Sequence, residues 1–560
     1  MLFKYKYDIS IVMGYYNRKP QLINTLNYFK NHYNNYNYEV IIVDDNSDII
    51  HQLDDILSNY TFPIKYIKIT KEEKGDRINP CVTYNKGFKE TEGKRVIIQN
   101  PECIHFGDIL KYVNDNLTHD DYIAFSCYNC SSNDLTNKLL NNISLINDVT
   151  FNKMNNFKWY NHPDIRPVHY HFCAAIMNDN LKLLGGFNEE FSKGHSYDDN
   201  EILLSIKYNL GLNIKTIDPN NCFVVHQWHP RDAESNLTKD KFNNMLLHNQ
   251  NLYYKLVNYH NNYNFKFPKL LHLYWDGSNF SFLNLLTILS FNKYHYGWKI
   301  NVYKPLNKNN NISWNTNEQK KKYTGIDYFN KLYNISNVNV HIIDTDLLPF
   351  KYKDASEVIK SDFFRLYILN KYGGLWSDFD IIYTNSVEKY YHSKKFNDKN
   401  VVLYRYKSEY KKKYIIVYPV GLFLCNKNNT VFKIILDNID KFYNPNNYQC
   451  LGTHMFENIF QHYKDNNFFK NMLFSMNLKE LFMDHSDCYL NIKWNQLNKL
   501  YYDKNINIDY YENNKNIFGI HWFNGADASK DYCNNLNLEL LKNTNSNSCS
   551  LIDKLVKKYI

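Results

Sequence analysis

The chain has no apolar stretch long enough to cross a bilayer. Across its 560 residues, apolar runs are broken by Asn, Lys or Asp within about ten positions, whereas a spanning helix needs roughly 20. The opening segment, MLFKYKYDISIVMGYYNRKP, holds only a short apolar run before Asn17 and Arg18. Neither a signal peptide nor a membrane span is expected there. Paired cysteines are also missing: the 11 cysteines are scattered, and only Cys127 and Cys130 form a C-x-x-C. Without a second pair nearby, a zinc module is not expected and reduced structural thiols are. Basic blocks are short, EYKKKY and EQKKKY, and the net charge of +9 is modest for this length, which excludes a nucleic-acid track. No segment repeats at a fixed period. These absences lead one to expect a soluble cytoplasmic protein with no transmembrane segment and no nucleic acid as partner.

What is abundant is Tyr, Asn, Lys and Ile, spread over the whole chain, with 50 Tyr and 35 Phe. That even spread fits the coding bias of an AT-rich genome better than an aromatic binding surface. The pattern is otherwise that of an α/β protein long enough for two domains. DISIVMGYY reads as a buried strand, PQLINTLNYFKNHY as a helix with Pro20 early in it, and YEVIIVDDNSD and KRVIIQNPEC as further strands. Alternating strands and helices predict a largely parallel sheet with ligands at the strands' C-terminal ends. The pattern weakens through VNYHNNYNFKFP and restarts at KLLHLYWDGS, with Pro268 closing the linker. Domains are expected over 1–262 and 268–545, with LNKNNNISWNTNEQKKKY a loop in the second.

One stretch carries chemistry on its face. In KYGGLWSDFDIIY, Asp378 and Asp380 are one residue apart at the end of an apolar run. On an extended strand they share a face, with Phe379 turned to the core. Two neighbouring carboxylates repel unless a positive group sits between them, and a divalent cation is the usual one. Upstream, ASEVIKSDFFRLYILNKYGG reads as a helix stopped by Gly373 and Gly374, with Asp362 and Arg365 on one face.

The compound pattern SDFFRLYILNKYGGLWSDFDII, with KLLHLYWDGS before it, resembles the glycosyltransferases that carry a DXD sugar-binding region, the family 32 enzymes and clostridial glucosylating toxins among them. The resemblance spans roughly 268–530. It implies Asp378 and Asp380 as carboxylates facing Mn²⁺ or Mg²⁺ on a sugar-nucleotide diphosphate. It implies Asp362 and Arg365 as contacts to donor sugar and phosphate, and Trp275 as a platform for the nucleobase. FGIHWFNGADASK looks like the closing segment of that family, with His521 completing the diphosphate site.

The first half resembles family 2 type glycosyltransferases through ISIVMGYYNR and EVIIVDDNSD. That likeness implies Asp45 (Asp44 the alternative) as the nucleoside contact and Arg77, in GDRINPCVTYNKGFKETEG, as the phosphate contact. The D-x-D of that group is absent. IIQNPEC stands in its place, with Asn100 and Glu102 at the ligand positions. HFCAAIMNDNLKLLGGFNEEFSKGHSYDDNEILLSI with CFVVHQWH resembles the C-terminal part of galactosyl- and N-acetylgalactosaminyltransferases. By that match Asp199 is the catalytic base, Asp198 orients the acceptor, and His226 is a metal ligand with His229 the alternative. The expected fold class is therefore α/β, two GT-A type domains in tandem. The expected function is bifunctional sugar transfer from nucleotide-sugar donors, UDP-sugars foremost, to a glycan or glycoprotein acceptor. The first domain is expected to invert and the second to retain. Alternatives are a non-catalytic glycan-binding first domain, or a nucleotidyltransferase. Tandem transferases and the coding bias suggest a large DNA virus of protists or an AT-rich microbe.

Overall fold

A computed structural model describes residues 3–141, 158–230, 237–263, 265–307, 321–394, 398–410 and 413–560. Most of the Asn/Lys-rich loop expected over 306–323 lies outside the described residues. The chain divides into two compact units, one over Phe3–Val257 and one over Asn258–Ile560 with the first two residues. The second unit therefore extends past residue 545. Its final helix, Leu551–Val556, buries Leu551, Ile552, Leu555 and Val556 in the core.

The first unit holds β1 (Tyr7–Tyr15), β2 (Tyr38–Asp44), β3 (Ile64–Lys68), β4 (Gly93–Gln99), β5 (Cys103–Phe106), β6 (Asp121–Asn129), β7 (Lys158–Asn161), β8 (Cys173–Met177), β9 (Asn213–Ile217) and β10 (Phe223–His226). The sheet order is β3-β2-β1-β4-β8-β6-β10-β5, and β7 and β9 also pair with β6. The run from β3 to β4 is parallel, and β8 then joins antiparallel between β4 and β6. All seven residues of β2 are buried, as expected for a parallel strand covered on both faces. The helix Cys81–Lys89 lies close on this sheet because of Gly87, where a Cβ would come within 2.5 Å of Val12 Cγ1.

The second unit holds β11 (Leu270–Tyr274), β12 (Lys299–Pro305), β13 (Val338–Ile343), β14 (Gly374–Ser377), β15 (Ile381–Tyr383), β16 (Val401–Tyr410), β17 (Lys413–Val417), β18 (Leu422–Cys425), β19 (Leu481–His485) and β20 (Gly519–His521). Its main sheet runs β13-β12-β11-β14-β18-β16-β17, with β19 beside β16, and β15 pairs separately with β20. The order 3-2-1-4 of the first sheet is thus repeated as 13-12-11-14. The four strands are parallel again and an antiparallel fifth follows. In each unit the first strand lies between the second and the fourth, so the connections diverge there and leave a crevice at the strands' C-terminal ends.

The helix Glu357–Tyr372 forms as expected. Ser356 caps its start by accepting from the Ile359 N–H. Gly373 (φ +71°) and Gly374 (φ +105°) turn the chain into β14, and a Cβ on Gly373 would meet Pro268 Cγ at 2.8 Å. The Asp378–Asp380 pair, however, does not lie on one extended strand. β14 ends at Ser377, the chain turns through Phe379 and Asp380, and β15 starts in a different sheet. All 11 cysteines are buried and none is bonded to another. Among the described residues, no helix is long and apolar enough to cross a membrane.

Candidate functional site

In the first unit, Asp45 follows β2 directly. Its carboxylate lies 2.7 Å from Arg77 Nη2 and 3.5 Å from Lys74 Nζ, so the two residues expected to hold nucleoside and phosphate are already a pair. Lys74 was not foreseen. Its ammonium donates to the Asp45 carbonyl at 2.7 Å and stands 3.5 Å from the Tyr16 ring centre. Burial pulls Lys74 below its ordinary range, against the attraction of Asp45. Asp44 takes a different part: it accepts from the Ser47 N–H at 2.8 Å and the Tyr66 hydroxyl at 2.5 Å, which commits it to the turn.

Glu102 stands three positions past the end of β4, and His226 is the last residue of β10. Glu102 Oε1 is 3.1 Å from His226 Nε2 and 3.4 Å from His229 Nε2. Both histidines therefore join the carboxylate. Burial alone would push the Glu102 carboxyl up, but hydrogen bonds and charge from the two imidazoles hold it far below the usual range. One ligand atom from each of the three falls within 4.8 Å of the others. His226 Nδ1 is buried without a hydrogen-bond partner. A carboxylate with two imidazoles offers one oxygen and two nitrogen donors, a set that a first-row divalent ion such as Mn²⁺ takes more readily than Mg²⁺ does. These residues fit the expected metal. Asn100, at the other ligand position, accepts instead from the Tyr84 hydroxyl at 3.2 Å.

Asp198 and Asp199 open the helix Asp198–Tyr208. The two residues before it, Ser196 (φ +59°) and Tyr197 (φ +65°), are left-handed, a conformation non-glycine residues adopt rarely and often near functional sites. Asp198 is buried and accepts from Asn79 Nδ2 at 3.0 Å. Burial, then the charge of Asp199, pushes it up to about 6. Asp199 is partly exposed, and its Oδ1 lies 2.5 Å from His171 Nδ1. His171 carries no sequence signal beyond standing two residues before β8.

In the second unit the carboxylates of the D-x-D turn toward different partners. Asp378 accepts from Trp376 Nε1 at 2.9 Å and lies 3.6 Å from Arg365 Nη2. A Cβ at Gly421 would meet its Oδ2 at 3.2 Å. Burial, despite Arg365, pushes Asp378 up, and Asp380 adds to this. Asp380 Oδ1 lies 3.1 Å from His521 Nε2, and its Oδ2 accepts from the Asn524 N–H at 3.0 Å. Burial opposes ionisation of Asp380, but His521 outweighs it and the net shift is downward. His521 thus stands beside Asp380. His521 Nδ1 is buried without a hydrogen-bond partner, and the carboxylates of Asp378 and Asp380 supply the oxygen donors a hard cation takes. Among the described residues, the three-residue groups with ligand atoms within 4.8 Å of one another are Glu102–His226–His229 and His171–Asp198–Asp199, both in the first unit.

Arg365 Nη2 is 2.8 Å from Asp362 Oδ1, and its guanidinium stands 5.2 Å from the Trp376 ring centre. Burial pushes Asp362 up to about 7 even against Arg365. Lys530, unforeseen, donates to Asn524 Oδ1 at 2.7 Å and feels the charges of Asp380 and Asp276. Trp275 departs from expectation. It is 7% exposed, edge-to-face with Phe280 and Phe379, with its indole N–H on the Ser278 carbonyl at 2.7 Å. Its ring belongs to the core and presents no open face for a base.

With this geometry in place, the comparisons with known proteins agree on a class: each half of the chain carries a glycosyltransferase segment. Residues 10–181 match the family described as "Glycosyl transferase family 2". Residues 286–397 match "Glycosyltransferase sugar-binding region containing DXD motif". No curated protein is significantly similar in sequence. Among solved structures, TarS 1-349 of S. aureus is 16% identical, with TM-score 0.28, over 39% of this chain and 60% of that one. The same fragment in complex with UDP-GlcNAc is 13% identical, with TM-score 0.32, over 45% and 66%. The mannosyltransferase PcManGT from Pyrobaculum calidifontis, in complex with GDP-Man and Mn²⁺, is 13% identical, with TM-score 0.28, over 45% and 65%. The chain spans less than two thirds of each, and likeness at this level says nothing of donor or acceptor. The α/β fold itself, with a parallel four-strand run in each sheet, is the class the sequence led one to expect and is consistent with the GT-A type.

Proposed function

We propose that the chain is a glycosyltransferase with two active sites, one in each unit, each using a nucleotide-sugar donor, a UDP-sugar foremost. One repeated feature carries this reading. Glu102 and Asp380 both stand three residues past the end of the fourth parallel strand, and each lies 3.1 Å from a histidine Nε2, His226 or His521. The same carboxylate–imidazole pair at the same point of two equally ordered sheets argues for the same task in both.

In the first unit, Asp45 takes the nucleoside and Arg77, with Lys74, takes the diphosphate. Donor binding thus divides a pair that the free protein keeps together. Glu102, His226 and His229 would hold a divalent ion, and Asp378 with Asp380 another in the second unit. Such an ion, Mn²⁺ or Mg²⁺, supplies positive charge opposite the departing diphosphate. Asp199 acts as general base: it takes the proton of the acceptor hydroxyl as that oxygen bonds to the anomeric carbon. The bond to the nucleotide breaks on the opposite side, its electron pair leaving on phosphate oxygen, and configuration inverts. Asp198, held by Asn79, orients the acceptor. In the second unit Arg365 takes phosphate, Asp362 the donor sugar, and Lys530 adds positive charge beside Asp380. No base stands at that motif, so transfer there is assigned as retaining. The acceptor is assigned as a glycan or glycoprotein.

A second reading, one active site with a glycan-binding first unit, is favoured by Asn100 where the second unit has Asp378. The test is nucleotide release by the full chain from a panel of UDP- and GDP-sugars with Mn²⁺. Release from two donors, both abolished by EDTA, supports the proposal; release from one alone favours the second reading, and no release from any donor with Mn²⁺ contradicts both.

A further inference from the structure

His171 is a buried imidazole that the scheme above leaves without work. We propose that His171 is the positioning residue of the first unit's base, clamping Asp199 Oδ1 so that Oδ2 is the oxygen offered to the acceptor hydroxyl. The inference rests on Asp199 being that base.

Two contacts from one residue converge on one oxygen. His171 Nδ1 lies 2.5 Å from Asp199 Oδ1, and the His171 backbone N–H donates to the same oxygen at 3.2 Å. The imidazole cannot swing away, because Tyr84 packs edge-on at 5.2 Å and Phe187 at 5.0 Å between ring centres. Its side chain is 7% exposed, while that of Asp199 is 28% exposed. The clamped side of the carboxylate is therefore enclosed and the remaining part open. The titratable groups facing His171 are Asp199 and Asp198 from the helix Asp198–Tyr208 and Tyr84 from the helix Cys81–Lys89. Burial pulls the imidazole down, but the charge and contact of Asp199, then Asp198, carry it above its ordinary range.

A buried cationic imidazole costs free energy unless it is paired, and an apolar ring would fill this space without that cost. What the imidazole adds is direction. A carboxylate fixed in one rotamer keeps Oδ2 in line with the hydroxyl during attack, where misplacement by about 1 Å can cost 10²-fold. Oδ2 takes the proton as the new carbon–oxygen bond forms and the bond to the diphosphate breaks. The proton then leaves through the exposed side.

The experiment uses the full chain in an Asp380→Asn background, which silences the second site, and follows nucleotide release from UDP- and GDP-sugars with Mn²⁺. His171→Ala should lower kcat roughly 10–100-fold with donor KM within about threefold. His171→Asn, whose Nδ2 falls near the place of Nδ1, should recover part of that loss, and it also decides the matter if the Ala variant does not fold. In an added Asp199→Asn background, His171→Ala should cost less than about twofold, since the two act as one unit. Independently of activity, the ¹⁵N-imidazole titration of His171 should lie above the usual histidine range and drop toward it in Asp199→Asn. The proposal is overturned by an unchanged kcat in His171→Ala, by an Asn variant no better than Ala, by equal cost in both backgrounds, or by a His171 titration indifferent to Asp199. Wild-type turnover in Asp199→Asn, with the His171 titration still responding, would instead remove the base assignment, and the positioning role with it.

Discussion

Replacing Asp362 by Asn should make the protein gain on the wild type as pH rises. Asp362 is 3% exposed, and its carboxyl is pushed from 3.8 to about 7 by burial, against the pull of Arg365. A carboxyl whose value is raised on folding contributes stability that is fully present below 3.8 and lost as pH climbs through about 7. Over pH 5 to 8 that loss comes to roughly 2–3 kcal/mol. Asn has the shape of the protonated acid and no charge to bury, so its stability lacks this slope. Constant differences between the side chains cancel when two pH values are compared. The assay is urea unfolding of both proteins at pH 5 and pH 8 in EDTA, read on the transition that the substitution moves. At pH 8 the variant should stand roughly 2–3 kcal/mol better relative to wild type than at pH 5. An equal difference at both pH values, or ground lost by Asn at pH 8, would refute the burial argument.

Two other outcomes follow from the same geometry. Glu102→Gln removes the one anionic ligand between His226 and His229 and should weaken Mn²⁺ at the first site by at least about 100-fold. A Mn²⁺ electron-resonance titration should then count one site where the wild type has two; an unchanged count contradicts the ligand assignment. Acid should destabilise the second unit, because burial holds His272 down to about 4 and His260 and His295 to about 3. Values lowered on folding mean stability that is present above about 6.5 and lost as pH falls toward those values. His295 Nε2 accepts from the Val387 N–H at 2.9 Å, a bond that protonation breaks. Thermal melts should fall steeply between pH 6 and 4, and His295→Gln should flatten that fall.

Much of this was legible in the chain because it was local. The helix Glu357–Tyr372 could be read from its cap and its two glycines, and the Asp362–Arg365 pair from their spacing of three. The strands ending at Asp44 and Gln99 could be read from their apolar runs and the acids that follow. The Asp378–Asp380 segment misled because alternation describes one strand, and here the chain changes sheets between the two acids. Trp275 misled because a tryptophan after a strand looks the same whether its ring faces a pocket or meets Phe280 and Phe379, which arrive from elsewhere in sequence. His171 and Lys530 were invisible for a related reason. The acids that give each its place, Asp199 and Asp380, are brought to them by tertiary packing.

The central claim is two independent active sites in one chain, and selective silencing tests it most directly. Donor consumption by the full chain should be measured for Asp199→Asn and for Asp380→Asn, with each nucleotide sugar the wild type uses. Loss of a general base costs roughly 10²–10⁴-fold, and only in the site where it takes the proton. Asp199→Asn should therefore lower use of one donor by that factor and spare the other, and Asp380→Asn should do the reverse. If Asp380→Asn silences both, the chain has a single active site and the first unit serves it in another way.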